Sequence, residues 1–256
     1  MSLSYPNILN LPDRCLLQKK LTKAFFLKNF DLSASEKKVL NSTIVQMEWL
    51  ASLKPTNCNV PSMVNEVISY EEVQIMICEV ENANLETQAN SCIQLLQKFI
   101  PYNILVIVES ETGFILNACE KRINQNDKSK RTIENQYSTR TISKLFKNEV
   151  NQAFFNVLNF SQLDKTNLEL LYLGYCYAIV QYNTSTITGL FQAKSNNRTQ
   201  KDLESLNKME ELEKEISKLA NQVKAEKLQS QKVTLNIAIH QKRKQIESIK
   251  NQLNEI

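Results

Sequence analysis

The sequence predicts an α+β protein: a small mixed or antiparallel sheet covered by helices, followed by a long C-terminal coiled-coil helix. Segments rich in β-branched residues are confined to the middle of the chain, between residues 64 and 142. The segment from Lys201 to Ile256 contains neither glycine nor proline and repeats apolar residues at spacings of three and four. Strands that are separated from a helical C-terminal part favour α+β over a doubly wound parallel fold. We therefore divide the chain into a body, residues 1–194, and a coiled-coil helix, residues 195–256.

The N-terminal quarter is predicted to be helical. Leucines and phenylalanines between Leu16 and Phe26 alternate with lysines, which is typical of a helix that packs on the body. Ser33 and Glu36 form a capping-box pattern, so a second helix should begin directly after Ser33. Its apolar stripe would continue to Leu53, and the neighbouring Trp49 is predicted to be a core residue with a bonded indole N–H.

The middle of the body is predicted to contain the sheet. The predicted strands are 64–81, 103–108, 114–119 and 134–142, and the predicted helices are 86–99, 150–159 and 168–182. The run Asn103–Val108 is apolar throughout, which indicates a central strand buried on both faces. Residues 121–131 are polar and basic and are predicted to form a loop, and residues 195–199 a hinge before the C-terminal helix.

Composition limits the class of partner, the cellular compartment and the membrane association that we expect. The chain has 256 residues and a net charge of +4, which permits an acidic partner without requiring one. Six cysteines form no C-x-x-C pair, and the N-terminus lacks a signal-peptide pattern, so we expect buried, reduced thiols in a cytoplasmic protein. The apolar helix at 168–182 is shorter than the roughly 20 residues of a membrane span, so we expect no membrane contact.

No catalytic constellation stands out. His240 is the single histidine and lies in the C-terminal segment, and no phosphate-binding glycine loop is present. A restriction-type nuclease needs an Asp and a Glu-x-Lys on neighbouring strands to hold Mg²⁺. None of the acids on predicted strands begins a Glu-x-Lys, so we assign no catalytic residue, cofactor or metal ligand. A degenerate nuclease that uses Glu79, Glu81 or Glu109 is the alternative hypothesis.

Two basic stretches are the remaining chemical signal. If they converge on one face, they would neutralise nucleic-acid phosphates without reading sequence. The alternative is an ordinary solvated surface with scattered acids. The predicted nucleic-acid contacts are Lys19, Lys20, Lys23, Lys121, Arg122, Arg131 and Arg140.

The C-terminal segment gives the strongest signal. As one helix it would extend roughly 80 Å, at about 1.5 Å per residue, with an apolar seam along one side. We expect the seam to form an intermolecular coiled coil; the alternative is that the helix folds back on its own body. The predicted oligomerisation residues are Met209, Leu212, Ile216, Leu219, Val223, Leu228, Leu235, Ile239, Ile246, Ile249 and Leu253.

The distribution of charged residues and the phase of the apolar repeat add detail to this prediction. Acidic residues dominate its first part and basic residues its second, so antiparallel pairing would place opposite charges together. The two halves of the seam differ in phase near Ala225, which predicts a break in the supercoil there.

Several short motifs resemble those of a known family. They are Leu11-Pro12 with Leu21-Thr22-Lys23, Ile44 to Trp49 with Leu53-Lys54-Pro55-Thr56-Asn57, Ile100 to Leu105, Ala118 to Arg122, and Glu226 to Asn236. Together they are similar to the bacterial domain-of-unknown-function family 4391 (DUF4391). The resemblance implies a bacterial protein whose genes neighbour DNA methyltransferases and superfamily-two helicases in defence islands. We therefore expect a non-catalytic adaptor of a restriction-like antiviral system that docks a helicase or DNA methyltransferase; a purely structural oligomeriser is a further alternative.

Overall fold

The computed structural model describes residues 4–81, 84–128, 130–146 and 148–254. It confirms the α+β class and divides the chain into two compact units, residues 1–179 and 180–256. The helices are α1 Tyr5–Leu9, α2 Lys23–Asn29, α3 Ala34–Lys38, α4 Pro55–Cys58, α5 Leu85–Phe99, α6 Glu149–Val157, α7 Leu168–Thr188, α8 Asn196–Ala225 and α9 Gln229–Asn254. The strands are β1 Leu16–Leu21, β2 Ile44–Leu53, β3 Met63–Val64, β4 Ser69–Tyr70, β5 Val73–Val80, β6 Asn103–Glu109, β7 Gly113–Ile123, β8 Arg131–Ser138 and β9 Ile142–Ser143.

The main sheet is mixed. Its strands follow the order β1-β2-β5-β6-β7-β8, and β9 pairs with the start of β7. β5 and β6 are parallel and are connected by α5, whereas the other neighbouring strands are antiparallel. Nearly every residue of β6 is buried, which confirms the central strand predicted at Asn103–Val108.

Helices cover both faces of this sheet. On one face, α5 packs Cys92, Ile93 and Leu96 into a core with Val106 of β6. On the other face, the ring of Phe114 lies 5.6 Å from the Tyr5 ring of α1. Because successive side chains of a strand point to opposite faces, one sheet supplies two cores.

The predicted helix over Ile44–Leu53 is wrong, because this segment forms strand β2 between β1 and β5. The register with β5 shifts between Ile44 and Gln46 and again between Trp49 and Ala51. Such irregularities interrupt the two-residue alternation of a strand, so the apolar residues take a spacing near three. The capping box at Ser33 is confirmed, but its helix, α3, ends at Lys38 and a π-helical turn follows.

Four smaller differences separate the structure from the sequence-based prediction. Leu16–Leu21 is the edge strand β1 rather than a helix, and β7 extends through Ile123 into the predicted loop. Trp49 packs against the core, yet its buried Nε1 has no hydrogen-bond partner among the described residues, so the predicted indole bond is wrong. Residues 196–199 are the first turn of α8, which Ser195 caps, and not a hinge.

All six cysteines are buried, as predicted, and none forms a disulfide. Burial raises the pKa of Cys15 to about 11 and that of Cys119 to about 12. In the described part of the chain, no helix has both the length and the apolar character needed to cross a membrane.

Side chains replace the backbone ladder over part of the contact between β6 and β7. The ladder extends from Val106 opposite Asn117 to Glu109 opposite Phe114. Beyond it, the hydroxyl of Tyr172 accepts the N–H of Cys119 at 2.9 Å and donates towards the carbonyl of Ile104, also at 2.9 Å. The hydroxyl of a buried tyrosine thus closes the gap between two central strands.

Replacing Tyr172 by phenylalanine should destabilise the body, because it leaves the buried N–H of Cys119 without a partner. We expect a loss of about 1–3 kcal/mol in the free energy of unfolding, measured by urea denaturation. Tyr175→Phe is the matched control, since the Tyr175 hydroxyl is buried without a hydrogen-bond partner among the described residues. Equal effects of the two substitutions would contradict the bridging role of Tyr172.

Candidate functional site

The two predicted basic stretches do not converge. Lys19 and Lys20 are exposed on β1, at one edge of the sheet, whereas Arg131 lies on β8 at the other edge. Five strand spacings of about 4.8 Å separate the two edges by roughly 24 Å. The two stretches therefore do not form one basic face, which the sequence had left open.

Lys121 is not a surface residue. Its side chain is buried, and its ammonium donates to the carbonyl oxygens of Ile100 at 2.8 Å and Tyr102 at 2.9 Å. These carbonyls follow the last turn of α5, so Lys121 ties the end of that helix to β7. Burial lowers the pKa of Lys121 to about 7. The assignment of Lys121 as a nucleic-acid contact is corrected, because its amine is buried and bonded to two backbone carbonyls.

The arginines near this edge are engaged locally. Arg122 pairs with Glu134 across β7 and β8, with Nε 3.1 Å from Oε1. Arg131 donates to the backbone carbonyls of Lys128 and Lys130 in the preceding loop. Arg140 is exposed between β8 and β9, and Lys23, at the start of α2, is half-buried with its ammonium 3.1 Å from the carbonyl of Asn41.

The acids of the alternative nuclease hypothesis are also dispersed. Glu109 ends β6, where its Oε2 accepts from the Tyr5 hydroxyl and from Lys144 Nζ, both at 2.6 Å. Burial, together with the carboxylate of Glu109, raises the pKa of Tyr5, which therefore remains a donor. Glu79 and Glu81 are exposed. Within the described ranges, no three His, Cys, Asp or Glu side chains form a group that could hold a metal ion.

The loop between β9 and α6 exposes two adjacent apolar side chains. Leu145 is 68% exposed and Phe146 72%, the highest values among the large apolar residues of the described chain. The loop is anchored on its N-terminal side, because Lys144 Nζ binds both Glu109 and the carbonyl of Ser110, the latter at 2.7 Å. We call Leu145 and Phe146 the loop surface. Sequence reasoning missed it, although a Leu-Phe pair outside any periodic segment was a visible signal.

The predicted single C-terminal helix is wrong, because α8 and α9 form an antiparallel helical hairpin. Arg198 donates to the carbonyl of Gln252 at 2.8 Å, and Glu215 pairs with Lys242. The change of phase near Ala225 marks the end of α8 rather than a break in a supercoil, and the carboxylate of Glu226 accepts the N–H groups of the next two residues. The acidic and basic halves do lie opposite each other, but within one chain.

The predicted seam is therefore largely internal to the hairpin. Met209, Leu212, Ile246 and Leu253 form a buried cluster, with Leu206, Ile216 and Ile249 packed against it. The remaining members become more exposed towards the turn: Ile239 is buried, Leu219, Val223 and Leu235 are half-buried, and Leu228 is exposed. Ile256, the last apolar residue of the segment, lies outside the described residues.

A buried ion network fixes the base of the hairpin. The carboxylate of Asp202 is almost fully buried between Lys194 Nζ at 2.6 Å and Arg198 Nε at 2.9 Å. Gln181 of α7 donates to the hydroxyl of Thr199 and to the carbonyl of Lys194, both at 3.2 Å. Paired, hydrogen-bonded charges of this kind define one geometry, because removing either partner leaves a buried charge uncompensated.

The outer side of α9 carries a second apolar surface. Val233 and Ile237 are one helical turn apart and are 51% and 54% exposed. Each lies two residues from a seam position, Val233 from Leu235 and Ile237 from Ile239, which is about 200° around the helix, so α8 cannot cover them. We call Val233 and Ile237 the hairpin surface. It was absent from the predicted seam, and the signal for it was an apolar pair at i and i+4 out of phase with the seam.

The fold and these surfaces define an α+β protein with a C-terminal helical hairpin and no grouped metal ligands in the part that the structure describes. The model of one family, described as a domain of unknown function (DUF4391), matches residues 9–246, and the chain belongs to this family. Searches among curated proteins and among solved structures found no match.

The buried amine of Lys121 should give stability a characteristic pH dependence. Its pKa falls from an ordinary 10.5 to about 7 on folding, so between these values the unfolded chain binds more protons than the native one. The free energy of unfolding should therefore rise with pH, by up to about 1.4 kcal/mol per pH unit from this group.

Urea denaturation between about pH 7 and 8.5, below the ordinary pKa of the cysteines, measures this slope. Lys121→Met should be less stable, because two carbonyls lose their donor, and should lack the upward slope. If the wild type and Lys121→Met show the same slope, the amine is protonated in the native body and this account of Lys121 fails.

Proposed function

We propose that this protein is a non-catalytic adaptor of a bacterial, restriction-like antiviral system, active in the cytoplasm. Its body docks a helicase or a DNA methyltransferase of the same system, and its helical hairpin assembles copies of the adaptor. One observation carries the proposal: each of the two compact units exposes its own apolar surface. The choice of partner enzymes and of the defence setting comes from the family resemblance.

Exposed apolar area of this kind supports a binding role. A solvent-exposed leucine is ordinary, but adjacent, anchored apolar side chains are typical of interaction sites. The loop surface satisfies this description because Lys144, the residue directly before it, is anchored by Glu109. The hairpin surface has the spacing with which one helix face contacts another.

The geometry around the acids favours an adaptor over the alternative nuclease. Metal-dependent hydrolysis needs free carboxylate oxygens that converge on one cation. Glu109 instead accepts two hydrogen bonds, one of them from a cation, while Glu79 and Glu81 point to solvent.

Docking through the loop surface can be tested by co-expression. The tagged full-length chain should co-purify with the helicase or the methyltransferase encoded beside it, and Leu145→Asp with Phe146→Asp should abolish this by placing two charges in an apolar contact. Val64→Asp, an equally polar change at another exposed site of the body, is the control. Failure of the wild-type chain to retain either enzyme would reject the adaptor function.

Assembly through the hairpin surface has an independent readout. Light scattering after gel filtration should give an oligomer for the wild type, whereas Val233→Glu with Ile237→Glu should shift it to a monomer. The control is Gln245→Glu, an exposed position on the same helix that lies about 120° around it from Val233. A monomeric wild type at high micromolar concentration would contradict the assembly role without affecting the docking role.

A further inference from the structure

A stretch near the N-terminus carries an excess of positive charge. Residues 16–38 contain six lysines and two acids. Lys19, Lys20, Lys28, Lys37 and Lys38 are exposed. One of the two acids, Glu36, is already paired with Lys98 of α5 at 2.7 Å. A polyanion that meets this surface would therefore find few competing carboxylates.

Aromatic rings lie in a row on and directly after α2 and at the end of α5, the helices that carry Lys28 and Lys98. The Phe25 ring of α2 is 6.1 Å from that of Phe30, and Phe30 is 5.3 Å from Phe99 at the end of α5. Phe25 is 37% exposed, and Phe30 and Phe99 are partly exposed. Lys98, itself largely exposed, places its ammonium 4.9 Å from the centre of the Phe99 ring.

The surrounding fold holds this row in place. Phe30 and Phe99 pack on the core formed by α5 and the sheet, and Phe26, between the exposed residues of α2, is fully buried in it. Thr22 caps α2 by accepting the N–H of Phe25 at 3.2 Å, which fixes the start of that helix. The rings are therefore presented by packed elements rather than by a free segment.

We infer that this surface, formed by Phe25, Phe30, Phe99 and the lysines of α2, α3 and α5, binds single-stranded nucleic acid. Lysines neutralise the phosphates, and exposed rings stack on unpaired bases, which a duplex keeps inside its helix. Chemical complementarity selects this occupant: the excess positive charge complements a polyanion, and the row of rings complements planar groups along it. Sequence reasoning found Lys19, Lys20 and Lys23 but placed them with the wrong partners, since the completing residues come from α2, α3 and α5.

The inference does not depend on the adaptor function, because it concerns a separate surface of the body. Its test is fluorescence anisotropy of the full-length protein with a labelled oligothymidylate of about 20 nucleotides and with a duplex of equal length. We expect tighter binding to the single strand, with an affinity that falls with salt at a slope of about 0.7 per neutralised phosphate.

Two variants separate the contributions of charge and stacking. Lys28→Glu with Lys37→Glu should weaken binding at least tenfold and flatten the salt dependence, whereas Phe25→Leu should weaken it about tenfold with the salt slope unchanged. Lys165→Glu is the matched control, since Lys165 also lies over a phenylalanine ring, Phe160, at 5.3 Å elsewhere on the body. Circular dichroism and thermal melting check that each variant is folded.

Several outcomes would overturn the inference. Equal affinity for the duplex would remove the stacking role, and no change in the Lys28 and Lys37 variant would place any binding elsewhere. Binding to vesicles rich in phosphatidylserine, without binding to the oligonucleotide, would assign the surface to anionic membranes instead. None of these results bears on co-purification with a helicase or methyltransferase, so the two proposals fail independently.

Discussion

The stability of the body depends on hydrogen bonds to the backbone N–H and C=O groups of β6 and β7 where these two strands no longer pair. A buried N–H or C=O without a partner is expensive, and two central strands that lose their ladder expose several such groups at once. Tyr172 bridges the gap, Gln97 donates to the carbonyl of Ile104 and to Asn117, and Lys121 closes the end of α5. Side chains from a helix on each face thus meet in the plane of the sheet.

This arrangement fixes the positions of the other features of the body. Strand β6 carries the polar network at its start and Glu109 at its end. The carboxylate of Glu109 anchors Lys144, and through it the loop surface. At the end of α5, the ring of Phe99 joins that of Phe30. One buried strand and the helix that precedes it therefore orient two surfaces that face solvent.

The sequence predicted those elements whose periodicity is regular and failed where it is not. The apolar run of β6 and the capping box at Ser33 needed only local information, and both are confirmed. The segment of β2 was predicted to be a helix because two register shifts give the apolar residues of this strand a spacing near three. Lys121 was predicted to be a surface cation. The sequence does not show that its amine lies within hydrogen-bond distance of two backbone carbonyls after α5.

The C-terminal helices illustrate a different limit of sequence-based prediction. The seam, the segregation of charge and the change of phase near Ala225 were all readable, yet the same pattern fits two chains side by side or one chain folded on itself. A three-residue connection decides between them, because it holds the second helix at very high local concentration beside the first. The loop surface and the hairpin surface were missed for the opposite reason: each consists of two residues that do not follow the periodicity of their neighbours.

The buried cysteines have a consequence for handling the molecule. Each thiol is enclosed, and the pKa of Cys15 and of Cys119 is raised by its surroundings, so little thiolate forms near neutral pH. An alkylating reagent would therefore react only with molecules that have opened. All six cysteines lie in the unit of residues 1–179 and none lies in the hairpin. Their rate of alkylation therefore reports local opening of that unit alone.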